Sequence, residues 1–290
     1  MATLNDILSQ CDALPVLPST VARLTSILNR ADAEISEIHE IVRTDDALSM
    51  TIMRYANSAQ YGAKNRVFNL QESLARLGQR HLMQIVLQQQ VAELFLDAGE
   101  AYGLHRGALW RSAQGGAIAA ESLAREYGFE DPDLAFICGL LRDIGKLVLD
   151  KHYGSEYMSL VSAHLNAQTS FIEAERAALG FDHAELGAEL AVRWDLPVRI
   201  VAAIRFHHAP PPSATDEDDL FSIVHAADMI CLWAGLGLGH DGLQYRLADH
   251  VRLKLNLSRD TVERLVAQTF AAVKTSEEIV QGSKNEEKCA

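Results

Sequence analysis

Gly139-Leu140-Leu141-Arg142-Asp143-Ile144-Gly145-Lys146 sets three charged side chains into an otherwise apolar run. Around it, Leu134, Ile137, Cys138, Leu141, Ile144 and Val148 recur at helical spacing, so the pattern predicts a helix over residues 133–150 that carries Arg142 and Asp143 in its interior. Asp143 and Lys146 stand one helical turn apart. A surface ion pair accounts for them as well as a functional role does, and both roles stay open: Asp143 and Lys146 are the catalytic candidates. Arg142 is chemically restrictive. Its guanidinium stays protonated and offers no lone pair, so it cannot ligate a metal.

The same helical period extends along most of the chain. Residues 19–29, with Ser19 as N-cap, and residues 35–43, 46–57, 70–77 and 80–96 all read as helices, with Gly78 as a C-cap between the last two. Residues 46–57 are apolar on several faces, the pattern of a central helix. Small residues crowd 107–126 (Ala113, Gly115, Gly116, Ala117), which predicts close helix packing. Asp182-His183-Ala184-Glu185 is a capping box that opens a helix through Trp194. Pro197 starts another that runs to His207-His208. Residues 209–219 form a loop, and helices follow near 220–235 and 258–273. No alternating strand pattern or internal repeat appears, so the fold class is all-α.

Composition narrows the function. The 290 residues are 48% hydrophobic, enough for a substantial core. Lys and Arg total 26 against 39 Asp and Glu, a formal charge of -13. That balance disfavours generic nucleic-acid binding while leaving room for a local basic pocket that holds a small phosphate ligand. No stretch is long and apolar enough for a membrane span, and no secretion signal is read at the N-terminus. Cys11, Cys138, Cys231 and Cys289 form no C-x-x-C pair and read as free thiols, so the expected location is cytoplasmic. No Walker loop or G-x-G-x-x-G fingerprint is present.

Several imidazoles and carboxylates have the chemistry of metal ligands. His183 lies at a helix start, His207 and His208 at a helix end, and His225 one turn before Asp228 in an apolar helix. Such donors suit iron, manganese, zinc or nickel, and separate helices can bring them together inside a bundle. Simpler roles exist. His207 and His208 can satisfy the last carbonyls of their helix, and His183 can be a partly exposed first-turn residue. Asp228 is harder to explain away, because a carboxylate on an apolar helix needs a partner. The remaining histidines read as ordinary surface or core residues.

In order, these segments resemble the HDOD family, the HD-related output domains of bacterial signalling proteins. The resemblance rests on Leu14-Pro15-Val16-Leu17-Pro18, Asp45-Asp46-Ala47-Leu48-Ser49, Ala56-Asn57-Ser58-Ala59 and Ala75-Arg76-Leu77-Gly78. It continues through Leu140 to Lys146, Gly180 to Gly187, Trp194-Asp195-Leu196-Pro197 and His207-His208. It implies a multi-helix HD-like bundle with an N-terminal helical lobe over residues 7–100, an HD-like lobe over 101–275 and a flexible tail over 276–290. Active HD phosphohydrolases pair histidine with aspartate and use two metal ions. By that resemblance Ser112 and Arg142 replace expected histidine ligands, and no Gly-Tyr-Pro signature follows. The first ion would keep only Asp143 and Asp228, while the second would keep Asp143, His183, His207 and His208. Arg142 then either neutralises Asp143 or Asp228 at the emptied first site, or points to solvent.

The resemblance implies a regulatory output module that lacks two-metal phosphohydrolase activity. It would hold at most one divalent transition metal (Fe, Mn, Ni or Zn), and act through signalling protein partners or a small phosphate-containing ligand, with Gln88-Gln89-Gln90 among the groups available for contact. The alternatives are a phosphohydrolase that cuts a nucleotide or cyclic dinucleotide phosphodiester with the single surviving ion, Lys146 contacting the phosphate, and a nucleotide sensor without turnover.

Overall fold

The computed structural model of the protein describes residues 4–10, 27, 35–43, 45–58, 65–166, 168–212, 216–242 and 244–286. Among these the regular structure is helical, and no strand occurs. The helix expected over 19–29 and the Leu14–Pro18 motif lie outside the described residues, apart from Ile27, as do Cys11 and Cys289. The chain divides into two compact units: Met1–Val16 with Ala92–Phe270, and Leu17–Val91 with Ala271–Ala290. This division falls inside a helix, Leu70–Leu96.

In the smaller unit, α2 (Ile35–Val42) and α3 (Asp46–Asn57) pack together; α1 is Leu4–Gln10 of the larger unit. The Asp45 carboxylate accepts a bond from the Leu48 amide at 2.9 Å and so starts α3. Leu48, Ile52, Tyr55 and Ala56 are buried, but Met50 is 54% exposed, so α3 is one-sided rather than the central helix its composition suggests. Asn57 fastens the next segment through both of its amide atoms: Nδ2 donates to the Val67 carbonyl at 2.9 Å, and the Val67 amide donates to Oδ1 at 2.8 Å. Arg76 donates to the Ala56 carbonyl at 3.1 Å. The conspicuous polar residues of these motifs thus hold backbone in place. Helix α4 (Leu70–Leu96) breaks at Gly78, where φ is 72°, as the sequence indicates. Gln88 is buried, which removes it from the contact surface expected of the glutamine run.

The larger unit carries α5 (Ala108–Tyr127), α6 (Pro132–Leu141), α7 (Ile144–Tyr153), α8 (Tyr157–Ser162), α9 (Phe171–Leu179), α10 (His183–Arg193), α11 (Val198–Phe206), α12 (Asp216–Trp233) and α13 (Asp249–Lys254). Helix α14 (Arg259–Glu286) begins here and continues helical past Thr275, into the stretch expected to form a tail. The small residues of α5 let it pack closely on α6 and α12, as their pattern predicts. Helix α10 packs on α7 and α11. The single helix expected over 133–150 is instead two. The chain turns at Asp143 (φ −98°, ψ 14°) between α6 and α7. Helix α12 begins at Asp216, earlier than expected, and α11 ends at Phe206 with His207 as its C-cap.

Candidate metal centre

The turn between α6 and α7 builds the site. Asp143 occupies an N-cap position but makes no capping bond, so its carboxylate is available to face inward. Arg142, Asp143 and Lys146 are all buried, which excludes both the surface ion pair and a solvent-facing Arg142. A continuous amphipathic helix would have forced some of these side chains outward, whereas the turn lets all three point into one interior.

Arg142 has no exposed surface and its guanidinium is bonded on every side. Nε donates to Asp228 Oδ1 at 2.7 Å. Nη1 donates to the carbonyls of Ser112 (3.1 Å) and Gly139 (2.8 Å). Nη2 donates to Ser112 Oγ at 2.8 Å and lies 3.3 Å from Asp143 Oδ2. Gly116 on α5 makes the room, since a Cβ there would collide with Nη1 and the guanidinium carbon. Burial works against this cation, but Asp143 and Asp228 outweigh it and keep Arg142 protonated at any accessible pH.

Lys146 is likewise internal. Its ammonium lies 2.7 Å from Asp241 Oδ2 and 3.0 Å from Asp143 Oδ1, beneath the Tyr102 and Tyr245 rings. Burial alone would raise the Asp143 carboxyl, yet Lys146 and Arg142 together hold it well below the usual carboxylate range. Both cationic partners of Asp143 are therefore built into the protein.

On the other side of Asp143 stand three histidines. Asp143, His183, His207 and His208 each present one donor atom, all within 4.8 Å of one another. His183 is fully buried, not a half-exposed first-turn residue. The predicted capping box (Asp182, Glu185) starts α10 and puts His183 at its first position. His183 Nδ1 meets Glu175 Oε2 at 2.7 Å, which directs Nε2 toward His208 Nε2 (2.9 Å) and Asp143 Oδ1 (3.6 Å). His207 Nδ1 donates to the Ile204 carbonyl at 2.7 Å, the helix-end role read from the sequence, and this leaves Nε2 as a lone pair 4.0 Å from Asp143 Oδ1. Gly145 of α7 lies so close to the His183 carbonyl that a Cβ would overlap it, so α7 and α10 can approach closely.

The chemistry of these donors fits a divalent transition metal. Burial pushes His207 down to about 4 and holds His208 well below the usual imidazole range, so both are neutral near pH 7 and each keeps one unprotonated ring nitrogen. His207 Nε2, His208 Nδ1 and Asp228 Oδ2 are buried without a hydrogen-bond partner, a costly arrangement that an ion would relieve in part. Burial also disfavours a His183 cation, but Glu175 outweighs it and raises that imidazole. Glu175 therefore favours positive charge on His183, whether a proton or an ion at Nε2 supplies it. Asp228 lies outside the cluster: its Oδ1 serves Arg142 and its Oδ2 stands 3.7 Å from His208 Nδ1. His225 has a connecting role. It donates from Nδ1 to the His207 carbonyl (2.8 Å) and accepts the Ala248 amide at Nε2 (3.0 Å).

Sequence reading missed Glu175, Tyr102, Tyr157, Asp241 and Tyr245. Glu175 is completely buried and accepts from both tyrosine hydroxyls as well as from His183. A signal existed: Glu175 lies one turn from both Phe171 and Leu179, on the inward face of α9. Asp241 and Tyr245 lie in a loop with no pattern to mark them.

Comparison with known proteins agrees with this architecture. An uncharacterized protein of Treponema pallidum (strain Nichols) is 26% identical over 275 residues, which cover 93% of this chain and 52% of that protein. The chain thus spans about half the length of the curated relative it matches. An HDOD domain protein of unknown function from Geobacter sulfurreducens superposes with a TM-score of 0.73 at 24% identity, covering 96% of this chain and 94% of that one. A provisionally named signal transduction protein from Marinobacter aquaeolei VT8 gives 0.71 at 22% identity, covering 92% of this chain and 60% of that one. At such identities the likeness is one of fold. No helix among the described residues is long and apolar enough to cross a membrane. The sequence model of the HDOD domain matches residues 14–210, more than half of the chain, and the protein belongs to the HDOD family.

Proposed function

We propose that the protein is a regulatory output module of bacterial signalling that holds one divalent transition-metal ion and does not hydrolyse phosphodiesters by a two-ion route. The observation that carries this reading is the bonding of Arg142. Its guanidinium links Ser112, Asp143 and Asp228, the groups that by family resemblance surround the first ion. A fixed guanidinium supplies the charge of an ion there, but it cannot lower the pKa of a bound water or open a coordination position. Asp143, His183, His207 and His208 would hold the remaining ion, which could polarise a bound oxygen or activate a water but would lack the two-ion clamp. The protein's own groups orient these ligands: Glu175 fixes the His183 ring, Ile204 the His207 ring, and Lys146 restrains Asp143. Lys146 is held by two carboxylates and so is a structural cation rather than a phosphate contact.

Elemental analysis of the purified chain, paired with an assay on bis(p-nitrophenyl) phosphate, tests the proposal. One transition-metal ion per chain, lost in His207→Ala, with no multiple-turnover cleavage, is the expected result. Sustained cleavage that Asp143→Asn abolishes would replace this reading with that of a single-ion phosphohydrolase. Partners in either case are signalling proteins or a phosphate-containing ligand.

A further inference from the structure

A cleft of about 420 Å³ opens beside the metal centre but does not reach most of it. Its walls include Arg176, Arg246, Ser170, Ile172, Tyr245 and His208. Of the four clustered metal-ligand candidates, His208 alone touches it. The separation has a cause. The segment from Asp241 to Ala248 is pinned at one end by the Asp241–Lys146 ion pair (2.7 Å) and at the other by the Ala248 amide on His225 (3.0 Å). Between these anchors the Tyr245 ring lies flat on His208, with centroids 4.2 Å apart and planes 9° from parallel. The Tyr245 hydroxyl donates to Asp241 Oδ2 at 3.2 Å. Tyr245 therefore stands as a wall between the cleft and Asp143.

The cleft gathers two guanidinium groups although the chain carries a formal charge of -13. It also holds one carboxylate, Glu173, whose Oε2 already accepts from the Ser170 amide (2.7 Å) and hydroxyl (2.9 Å). Arg176 contacts Asp182 and Glu185 through Nη2. Arg246 makes no ion pair or hydrogen bond among the described residues. Guanidinium groups bind phosphate oxygens bidentately, and Tyr245 with Ile172 offers apolar surface to the rest of a ligand. The volume lies within the range typical of small-ligand sites.

We propose that this cleft binds a phosphate-bearing small molecule through Arg246, against the Tyr245–His208 stack, and holds it away from Asp143 so that it is not cleaved. The proposal deepens the regulatory reading above by giving the module a ligand class and a place for it. Calorimetric titration of the full chain with inorganic pyrophosphate tests it, with malonate as the dicarboxylate control. Saturable pyrophosphate binding is expected, at least tenfold tighter than malonate. Arg246→Ala should weaken it tenfold or more, Arg246→Lys should restore part of the loss, and pyrophosphate should be recovered intact. Failure to bind, indifference to Arg246→Ala, a preference for malonate, or release of orthophosphate would each overturn the proposal. Metal content measured on the same samples separates the two claims. A metal-free chain that still binds pyrophosphate through Arg246 sinks the metal assignment alone, whereas a metal-loaded chain that ignores pyrophosphate sinks the cleft assignment alone.

Discussion

The two sides of Asp143 solve the same electrostatic problem in opposite ways. On one side Arg142 supplies a permanent cation, and every donor of its guanidinium has a partner at hydrogen-bond or ion-pair distance. On the other side three imidazoles crowd the same carboxylate, and one buried ring nitrogen on each of His207 and His208 goes without a hydrogen-bond partner. The donors of the first side are thus all satisfied within the chain. The second is incomplete without something added. On the proposed reading, one buried carboxylate is stabilised by a residue on one side and prepared for a metal ion on the other.

That contrast fixes where substitution should do most damage. Arg142→Ala removes a wholly buried cation and leaves Asp228 without its main partner, inside a cavity the size of the lost side chain. Breaking a buried ion pair from one side costs about 3–5 kcal/mol. Denaturant unfolding of the metal-free chain should show a loss of that order. A midpoint that barely moves would mean that the completed side contributes nothing, and the comparison would fail at its base.

The second largest effect belongs to the incomplete side. If a metal binds there, the wild-type chain gains about 2.7 kcal/mol when the free ion reaches a hundredfold excess over its dissociation constant. His207→Ala should abolish that gain, on top of a metal-independent loss from removing a fully buried ring and its bond to the Ile204 carbonyl. Thermal unfolding with and without added manganese or zinc reads both quantities. An undiminished metal-dependent shift in His207→Ala would remove His207 from the ligand set.

These contrasts were unevenly visible in the sequence. The all-helical fold and most helix starts could be read, because periodicity and caps such as Asp182–Glu185 are local. The imidazoles at helix ends were visible as well, but their local pattern fitted capping roles, and only the family resemblance grouped His183, His207 and His208 with Asp143. The placement of Arg142 was not. It depends on the turn at Asp143, on Ser112 and Gly116 of α5, and on Asp228 of α12, which no local pattern connects. The amphipathic stripe over 133–150 pointed the other way, toward one continuous helix, because apolar spacing survives a sharp turn unchanged. Glu175 sits beside Glu173 and Arg176 and passes for part of a charged surface until its neighbours Phe171 and Leu179 show which face is buried. The 241–248 loop carries no periodic signal, so neither its anchor nor Tyr245 could be anticipated.

Glu175→Gln tests whether the incomplete side is prepared rather than merely unpaired. A glutamine keeps the shape and one acceptor but cannot favour positive charge on His183. Loss of such an outer partner costs roughly tenfold to hundredfold in metal affinity, or about 1.4–2.7 kcal/mol. Competition against a chelator of known strength measures it. Equal affinity in the two proteins would show that the Glu175–His183 bond serves packing alone.

Ser112→Ala should produce the smallest change and the most selective one. The serine hydroxyl accepts from Arg142 Nη2 at 2.8 Å, and its loss leaves that nitrogen with Asp143 at 3.3 Å. Three other bonds, from Nε to Asp228 and from Nη1 to two carbonyls, still hold the guanidinium in place. A single hydrogen bond to a charged donor is worth about 1.5–3 kcal/mol, and retention of a nearby carboxylate should keep the loss toward the lower figure. Metal affinity should not change, because Ser112 touches the completed side only. If Ser112→Ala weakened metal binding as much as Glu175→Gln does, the two sides of Asp143 would be one coupled network, and Arg142 would act as a tuner of the ion site rather than as a replacement for a lost one.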